Sequence, residues 1–399
     1  MAIAACGSSN SSSPSSSGGS TGAADTSPYN ILAIYGMTGD LEASAVAVNR
    51  GVQAAVDYFN SQGGVNGHKL VLTVKDDQSD PTKAVSILQD AVNSSSPPDD
   101  VIPGISSNEG LAMAPVLTRA QIVGLGSASS PALDDPTKYP YFFSQSTLAP
   151  TVVASGATFI ASHPGVKSVA IVTSNDALGE ADVPTLQSTF KAAGIATTVK
   201  LFDPTASDYT ATYQAAAASH PDWVWMDGAG AEVPIMLSSR LKANLGNVPT
   251  VIGNVASSGS LTTYAKGTTQ LDNTFATLGP MGAYVAPSDR GPELKAMLKA
   301  LNEQGALAAP LFVYATGWDY VNYFVNGIQN LNGKDVTGPN LKTALETLPD
   351  SSDPQFPMYR PTFDTKTHNP QTPASLFSFG QEVGSKDGMI VLKKAYHSS

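Results

Sequence analysis

Short apolar runs bounded by glycine, proline or polar turns alternate with longer segments whose apolar positions recur every three or four residues, nearly throughout the chain. Residues 30–36 read as a buried strand, and a helix over 45–60 follows with Val46, Val52, Val56, Tyr58 and Phe59 as apolar positions. The turn Gln62-Gly63-Gly64-Val65-Asn66-Gly67 stops that helix, because glycine accepts the left-handed conformation of a C-terminal cap. A strand over 69–76 and a helix over 81–93, with Pro81 near its first position, repeat the unit. Strand 101–104, helix 108–119 and strand 121–126 continue it. A second series has strands over 168–173, 197–202, 223–226 and 250–253, separated by helices over 183–193, 209–218 and 232–243. Helices over 293–304, 313–330 and 340–348 and a strand over 389–392 come last.

Strands alternating with helices predict an α/β fold: two Rossmann-like lobes with parallel sheets covered by helices on both faces. The late helices are too few and too poor in strands to form a third domain, so they complete lobes already begun. The chain must then cross between lobes more than once, with crossings expected near 142–146, 275–282 and 358–364. Lobe 1 comprises 28–145 and about 283–357, and lobe 2 comprises 146–276 and about 365–399.

Composition narrows the partners. With 22 Lys+Arg against 33 Asp+Glu the net charge is -11, which argues against nucleic acid or another polyanion. No apolar run approaches the length of a bilayer span. Cys6 is the single cysteine, so neither an internal disulfide nor a multi-thiolate metal site can form. His68, His163, His220, His368 and His397 are scattered without ligand spacing, so no metal or cofactor is expected. Gly18-Gly19-Ser20-Thr21-Gly22 matches a nucleophile-elbow string but has no strand before it and no helix after it. Gly228-Ala229-Gly230 lacks the third glycine of a dinucleotide fingerprint. No acid, base and nucleophile gather at the strand ends, so the reading is not that of an enzyme.

The first 27 residues form a separate segment. From Gly7 to Ser27 no apolar side chain exceeds alanine, so nothing offsets the entropy of ordering the backbone and a flexible linker is expected. Ile3-Ala4-Ala5-Cys6 resembles the end of a bacterial lipoprotein signal, which implies a diacylglycerol on Cys6. No charged and long apolar stretch of a secretory signal precedes it, and a free thiol in a flexible tail is the other reading.

Several pieces in order resemble one family. They are Gly36-Met37-Thr38-Gly39, Asn49-Arg50-Gly51, Asn60-Ser61-Gln62-Gly63-Gly64-Val65-Asn66-Gly67, Asp76-Asp77-Gln78-Ser79-Asp80-Pro81, Ser106-Ser107, Ser127-Ala128-Ser129-Ser130-Pro131, Leu178-Gly179-Glu180 and Phe363-Asp364. Together they resemble the type I periplasmic binding proteins of the branched-chain amino acid (leucine/isoleucine/valine) binding family. The resemblance implies a ligand held between two lobes that close about a three-crossing hinge, and delivery of that ligand to an ABC permease with its ATPase. It also implies a carboxylate grip on lobe 1 at Ser106 or Ser107, Ala128 and Ser129, give or take one residue. A helix N-terminus attracts an anion on physical grounds as well, although plain N-capping explains Ser106 and Ser107 equally.

Lobe 2 departs from the family pattern. The positions that hold an α-ammonium in amino-acid-binding relatives match Ala229 and Val255, which cannot bind a cation through their side chains. A pocket tyrosine is replaced by Leu178 and a first-lobe tryptophan by Ser44. Asp227 could supply a substitute carboxylate or be a solvated loop acid. Tyr314 and Trp318 fall where relatives place an aromatic in the cleft, or they pack in the core. The expectation is an extracellular, lipid-anchored solute-binding protein, periplasmic if an outer membrane is present, for a carboxylate- or amide-bearing ligand. A receptor module that signals through a partner is the alternative.

Overall fold

The computed structural model describes residues 26–39, 41–128, 130–146, 148–228, 232–254, 256–258, 261–265, 268–348, 363–369 and 374–397. Cys6 and the expected linker up to residue 25 lie outside them.

The first lobe begins with β1 (Tyr29–Tyr35), α1 (Glu42–Ser61), β2 (Leu70–Asp76), α2 (Pro81–Val92), β3 (Asp100–Pro103), α3 (Ser107–Ala120), β4 (Val123–Gly126) and β5 (Phe142–Ser144). Its five strands are parallel, in the order β2-β1-β3-β4-β5. The central β1, YNILAIY, is buried at every position except Asn30, as expected of a strand covered on both faces.

The second lobe contains α4 (Ala149–Ala161), β6 (Ser168–Ser174), α5 (Ala177–Ala192), β7 (Ala196–Phe202), α6 (Thr210–Ala217), β8 (Trp223–Met226), α7 (Val233–Lys242), β9 (Thr250–Ile252), α8 (Leu261–Tyr264) and β10 (Thr274–Leu278). After it come α9 (Pro292–Glu303), α10 (Leu311–Asn330), α11 (Gly338–Glu346), β11 (Ser378–Gly380), β12 (Glu382–Lys386), β13 (Met389–Leu392) and β14 (Tyr396–His397). The second sheet runs β14-β11-β10-β9-β8-β6-β7, and its strands β6 to β10 repeat the order of the first sheet. β11 extends it antiparallel to β10, and β14 pairs antiparallel to β11 at the edge. Alternate residues feed its two faces: Ala170, Val172, Val224 and Met226 enter one cluster, while Val169, Ile171, Trp223 and Trp225 enter the other.

The late helices return to the first lobe, where Leu294, Met297, Trp318, Phe324 and Leu345 join its core. α10 lies against α1 at glycine-lined contact points. A Cβ at Gly51 would overlap the carbonyl oxygen of Tyr314, and one at Gly317 would overlap that of Val48. Each helix thus carries a glycine where the other's backbone touches it.

The sequence placed crossings at 142–146 and 275–282, and both ranges contain strand. Phe142–Ser144 pairs with β4 and Thr274–Leu278 with β9, so the chain leaves each sheet just after these strands. Of the range 358–364, all but residues 363 and 364 lie outside the described ones. Phe363 packs in the first core, and His368 stacks on Phe143 with ring centres 3.9 Å apart. His368 Nε2 lies 2.9 Å from Glu346 Oε1, and burial holds the ring's pKa below its usual value. The β12–β13 hairpin turns through Asp387 (φ 52) and Gly388 (φ 75), the positive-φ pair of a tight hairpin turn. It joins the two lobes: Met389 is buried in the first core, and the next residue, Ile390, in the second. The Leu311 N–H, at the head of α10, donates to the Gly388 carbonyl at 2.8 Å.

Candidate functional site

In the first sheet the strand order reverses between β1 and β3, and a ligand crevice forms outside the carboxyl ends of strands at such a point. A cavity of about 480 Å³ opens there. Val48 from α1, Ile105 after β3, and Phe312 and Val313 from α10 form its apolar walls. The hydroxyl-bearing residues Ser44, Ser127 and Thr316 interrupt them, and Tyr264 of α8 closes the cavity from the second lobe. None of the described lining residues is charged. Volume, concavity and a mainly apolar lining suit a small organic ligand. A cavity of about 570 Å³ beside Gln89, Asp99 and Arg119 lies at the amino ends of the strands and touches only the first lobe.

The sequence candidates meet different fates. Ser44 lies on α1 and lines the cavity. Ser106 caps α3: its hydroxyl accepts from the Glu109 N–H at 3.3 Å and donates to Glu109 Oε2 at 3.1 Å. Glu109 Oε2 in turn accepts from the N–H groups of Ile105 (2.8 Å) and Ser106 (3.0 Å), completing a capping box. Ser107 accepts from the Ser130 N–H at 3.2 Å and so ties the loop after β4 to α3. Ala128 is buried, with its N–H donating to Ser144 Oγ at 3.0 Å and its carbonyl accepting from Ser144 Oγ and Asn369 Nδ2. The cavity residue of this loop is its neighbour Ser127.

Tyr314 is also held elsewhere. Its hydroxyl accepts from the N–H groups of Ala308 (2.9 Å) and Ala309 (3.1 Å), and the Arg50 guanidinium lies over its ring at 5.4 Å. Trp318 is in the first core. Ser129, Ala229, Val255 and the side chain of Leu178 lie outside the described residues. Phe312, Val313 and Thr316 went unselected because a helical period shows which residues share a face, not whether that face meets a core or a cleft.

Behind Ser127 a polar cluster reaches the first crossing. Ser127 Oγ is hydrogen-bonded to Ser146 Oγ, and Gln145 Nε2 donates to the Thr316 carbonyl at 2.6 Å. The buried Tyr320 phenol is pushed above its usual pKa by burial, with Ser127 and Gln145 beside it acting in the opposite direction. Under α3, Asp77 is raised to about 6 by burial and by the neighbouring Glu109 charge.

Asp227 bridges two loops of the second lobe. Its Oδ1 accepts from the Gly228 N–H at 2.9 Å and the Ala256 N–H at 2.8 Å, and the residue is buried. Removing the carboxylate strands two buried donors. Asp227→Ala is expected to lower the unfolding free energy by about 2 kcal/mol in a urea titration; an unchanged midpoint would leave the carboxylate available to a ligand instead.

Among the described residues no group of three or more His, Cys, Asp or Glu could hold a metal ion, and no helix is long and apolar enough to cross a membrane.

A family model described as periplasmic binding protein matches residues 28–384. No curated protein gives a significant sequence match. Among solved structures, an ABC transporter substrate-binding protein from Sphaerobacter thermophilus is similar with a TM-score of 0.75 at 16% identity, covering 93% of this chain and 98% of that one. The branched-chain amino acid transporter substrate-binding protein of Streptococcus pneumoniae, in complex with isoleucine, gives 0.68 at 18% identity, covering 93% and 99%. A solute-binding protein of an ABC transporter from Rhodopseudomonas palustris, in complex with 3,4-dihydroxybenzoic acid, gives 0.69 at 16% identity, covering 94% and 98%.

Proposed function

The chain belongs to the periplasmic binding protein family, and on that premise we propose that it is the solute-binding component of an ABC importer, closing two lobes on a small organic ligand and presenting the closed form to a permease. The observation that carries this reading is the cavity at the strand-order reversal, with walls from α1, α10 and the loop after β3 and with Tyr264 reaching in from the other lobe. A ligand in contact with both lobes binds the closed form better than the open one, and that difference in affinity is what shifts the population.

Binding without chemistry is part of the same reading. Ser106, Glu109 and Asp227, which could act as nucleophile or base at a strand end, are engaged in capping and loop bonds. Delivery at a membrane surface, by a lipid on Cys6 with the protein outside the cell membrane, would keep the binding protein beside its transporter, and stable anchoring needs more than one acyl chain. Metabolic labelling with a fatty acid, compared between the native chain and Cys6→Ala, tests the anchor; equal labelling of the two excludes it.

The central test is small-angle scattering of the full chain, titrated with any ligand that binds by calorimetry. The radius of gyration is expected to fall as the site fills. Saturation with unchanged dimensions defeats the proposal.

A further inference from the structure

Tyr264 brings the second lobe to the interlobe cavity, yet α8, which carries it, is four residues long and too short to hold a helix by its own hydrogen bonds. It is held from a distant part of the chain. The Glu382 carboxylate, at the start of β12, accepts from the Leu261 N–H at 2.7 Å, the Thr262 N–H at 3.1 Å and the Thr262 hydroxyl at 3.0 Å. Glu382 is 2% exposed, so little water competes for these charge-assisted bonds. A β-bulge aims the side chain. The register of β12 against β13 shifts between Glu382 and Gly384, leaving Val383 as the extra residue, 52% exposed, while Glu382 turns inward.

The tip of the same hairpin meets the opposite wall of the cavity. The Gly388 carbonyl accepts from the Leu311 N–H, and a Cβ at Gly388 would lie 3.1 Å from the Leu311 nitrogen. Phe312, Val313 and Thr316, which line the cavity, follow directly on α10. Between these two ends Ile390 is fixed to the segment after β10: its N–H donates to the Gly282 carbonyl and its carbonyl accepts from the Tyr284 N–H, each at 2.8 Å. One hairpin thus grips a cavity wall in each lobe.

We propose that Glu382 is a positioning residue of the ligand site: through α8 it sets where Tyr264 stands across the cavity from Phe312 and Val313, and so the width of the space a ligand fills. The proposal rests on the solute-binding reading and deepens it. Without the carboxylate three donors lose their acceptor, and the short helix is free to move while the sheet beneath it stays in place.

The test uses the full chain and needs no ligand. Tyr264→Trp puts a tryptophan in the cavity wall, and because the native Trp223, Trp225 and Trp318 are buried, acrylamide quenching reports on the new one. Adding Glu382→Ala is expected to raise its quenching constant about two-fold or more, as α8 opens locally. Asp222→Ala is the matched control, since Asp222 also accepts from two amides and a hydroxyl, those of Lys167 and Ser168, but at the amino end of β6. It is expected to leave the quenching unchanged. In the chain with native Tyr264, hydrogen exchange at the Leu261 and Thr262 amides is expected to quicken about ten-fold or more in Glu382→Ala. If the alanine variant does not fold, Glu382→Gln, which keeps the shape and one acceptor oxygen, makes both comparisons with smaller rises expected. Unchanged quenching or exchange in the Glu382 variant, or an equal rise in quenching in Asp222→Ala, overturns the proposal. Each of these results leaves the solute-binding reading intact, because that reading fails on a different measurement, a ligand that saturates the protein without compacting it.

Discussion

Gly317→Val is expected to lower the unfolding free energy by about 3 kcal/mol or more and to weaken ligand binding at the same time. The reason is the contact between α1 and α10, where a Cβ at Gly317 meets the Val48 carbonyl oxygen and lies 2.9 Å from the Val52 nitrogen. These are backbone atoms inside a helix, so no rotamer change relieves the overlap and the two helices must separate. Val48 is itself a wall of the cavity, and Phe312, Val313 and Thr316 stand on the other helix. Separation therefore widens the pocket as well as loosening the core. A thermal scan should show the melting temperature falling by roughly 4 °C or more. Gly291→Ala is the control, since open space surrounds that glycine and its φ of -64 suits any residue. Equal effects from the two substitutions would mean that helix contact is not the cause.

Asp182→Asn is expected to stabilise the protein, and only above acidic pH. Asp182 is 3% exposed, its Oδ2 has no hydrogen-bond partner among the described residues, and burial together with the charge of Asp176 raises its pKa from 3.8 to about 7. The folded state thus retains a proton that the unfolded state releases, and stability falls as pH rises from about 4 through about 7. Above that the cost of the ionised group is fully present, with a ceiling of roughly 4 kcal/mol. Asparagine removes the ionisation while keeping the shape. The two stability curves should meet near pH 4 and diverge by about 2–4 kcal/mol at pH 8 in denaturant titrations. Parallel curves across that range would show that Asp182 is not the group responsible.

The alternation of strands and helices was legible because the strands are short apolar runs cut off by glycine and polar turns, as at 30–36 and 223–226. α4 was not. Its sequence, APTVVASGATFIA, is rich in β-branched residues and contains a glycine, so local propensity argues against a helix. Packing overrides that preference, for Gly156 receives the edge of Trp225 where any side chain would collide. β5 and β10 were read as crossings because each is short and leads directly into one.

The sequence candidates and the lining of the interlobe cavity differ by a residue or two. Side chains alternate across extended backbone, so Ser127 lines the cavity while Ala128 turns into the core. On α10 the same shift separates Val313, in the cavity wall, from Tyr314, bonded to the 308–309 loop. The capping role of Ser106 with Glu109 is written in the spacing Ser-Ser-Asn-Glu, and the Glu109 carboxylate accepts from the N–H groups of Ile105 and Ser106 just before α3.

The hairpin that carries Met389 and Ile390 also sets the order in which the protein can be finished. The first sheet is complete in sequence at Ser144, but α9, α10 and α11 are translated only after the whole second lobe, and Met389 later still. A nascent chain therefore holds an apolar sheet face without its cover while most of the remaining protein is made, the condition under which incomplete chains aggregate. The second lobe likewise waits for β11 and β14 at its edge. A stop codon anywhere before Met389 leaves both lobes unfinished at once, the first without Met389 in its core and the second without Ile390 and β14.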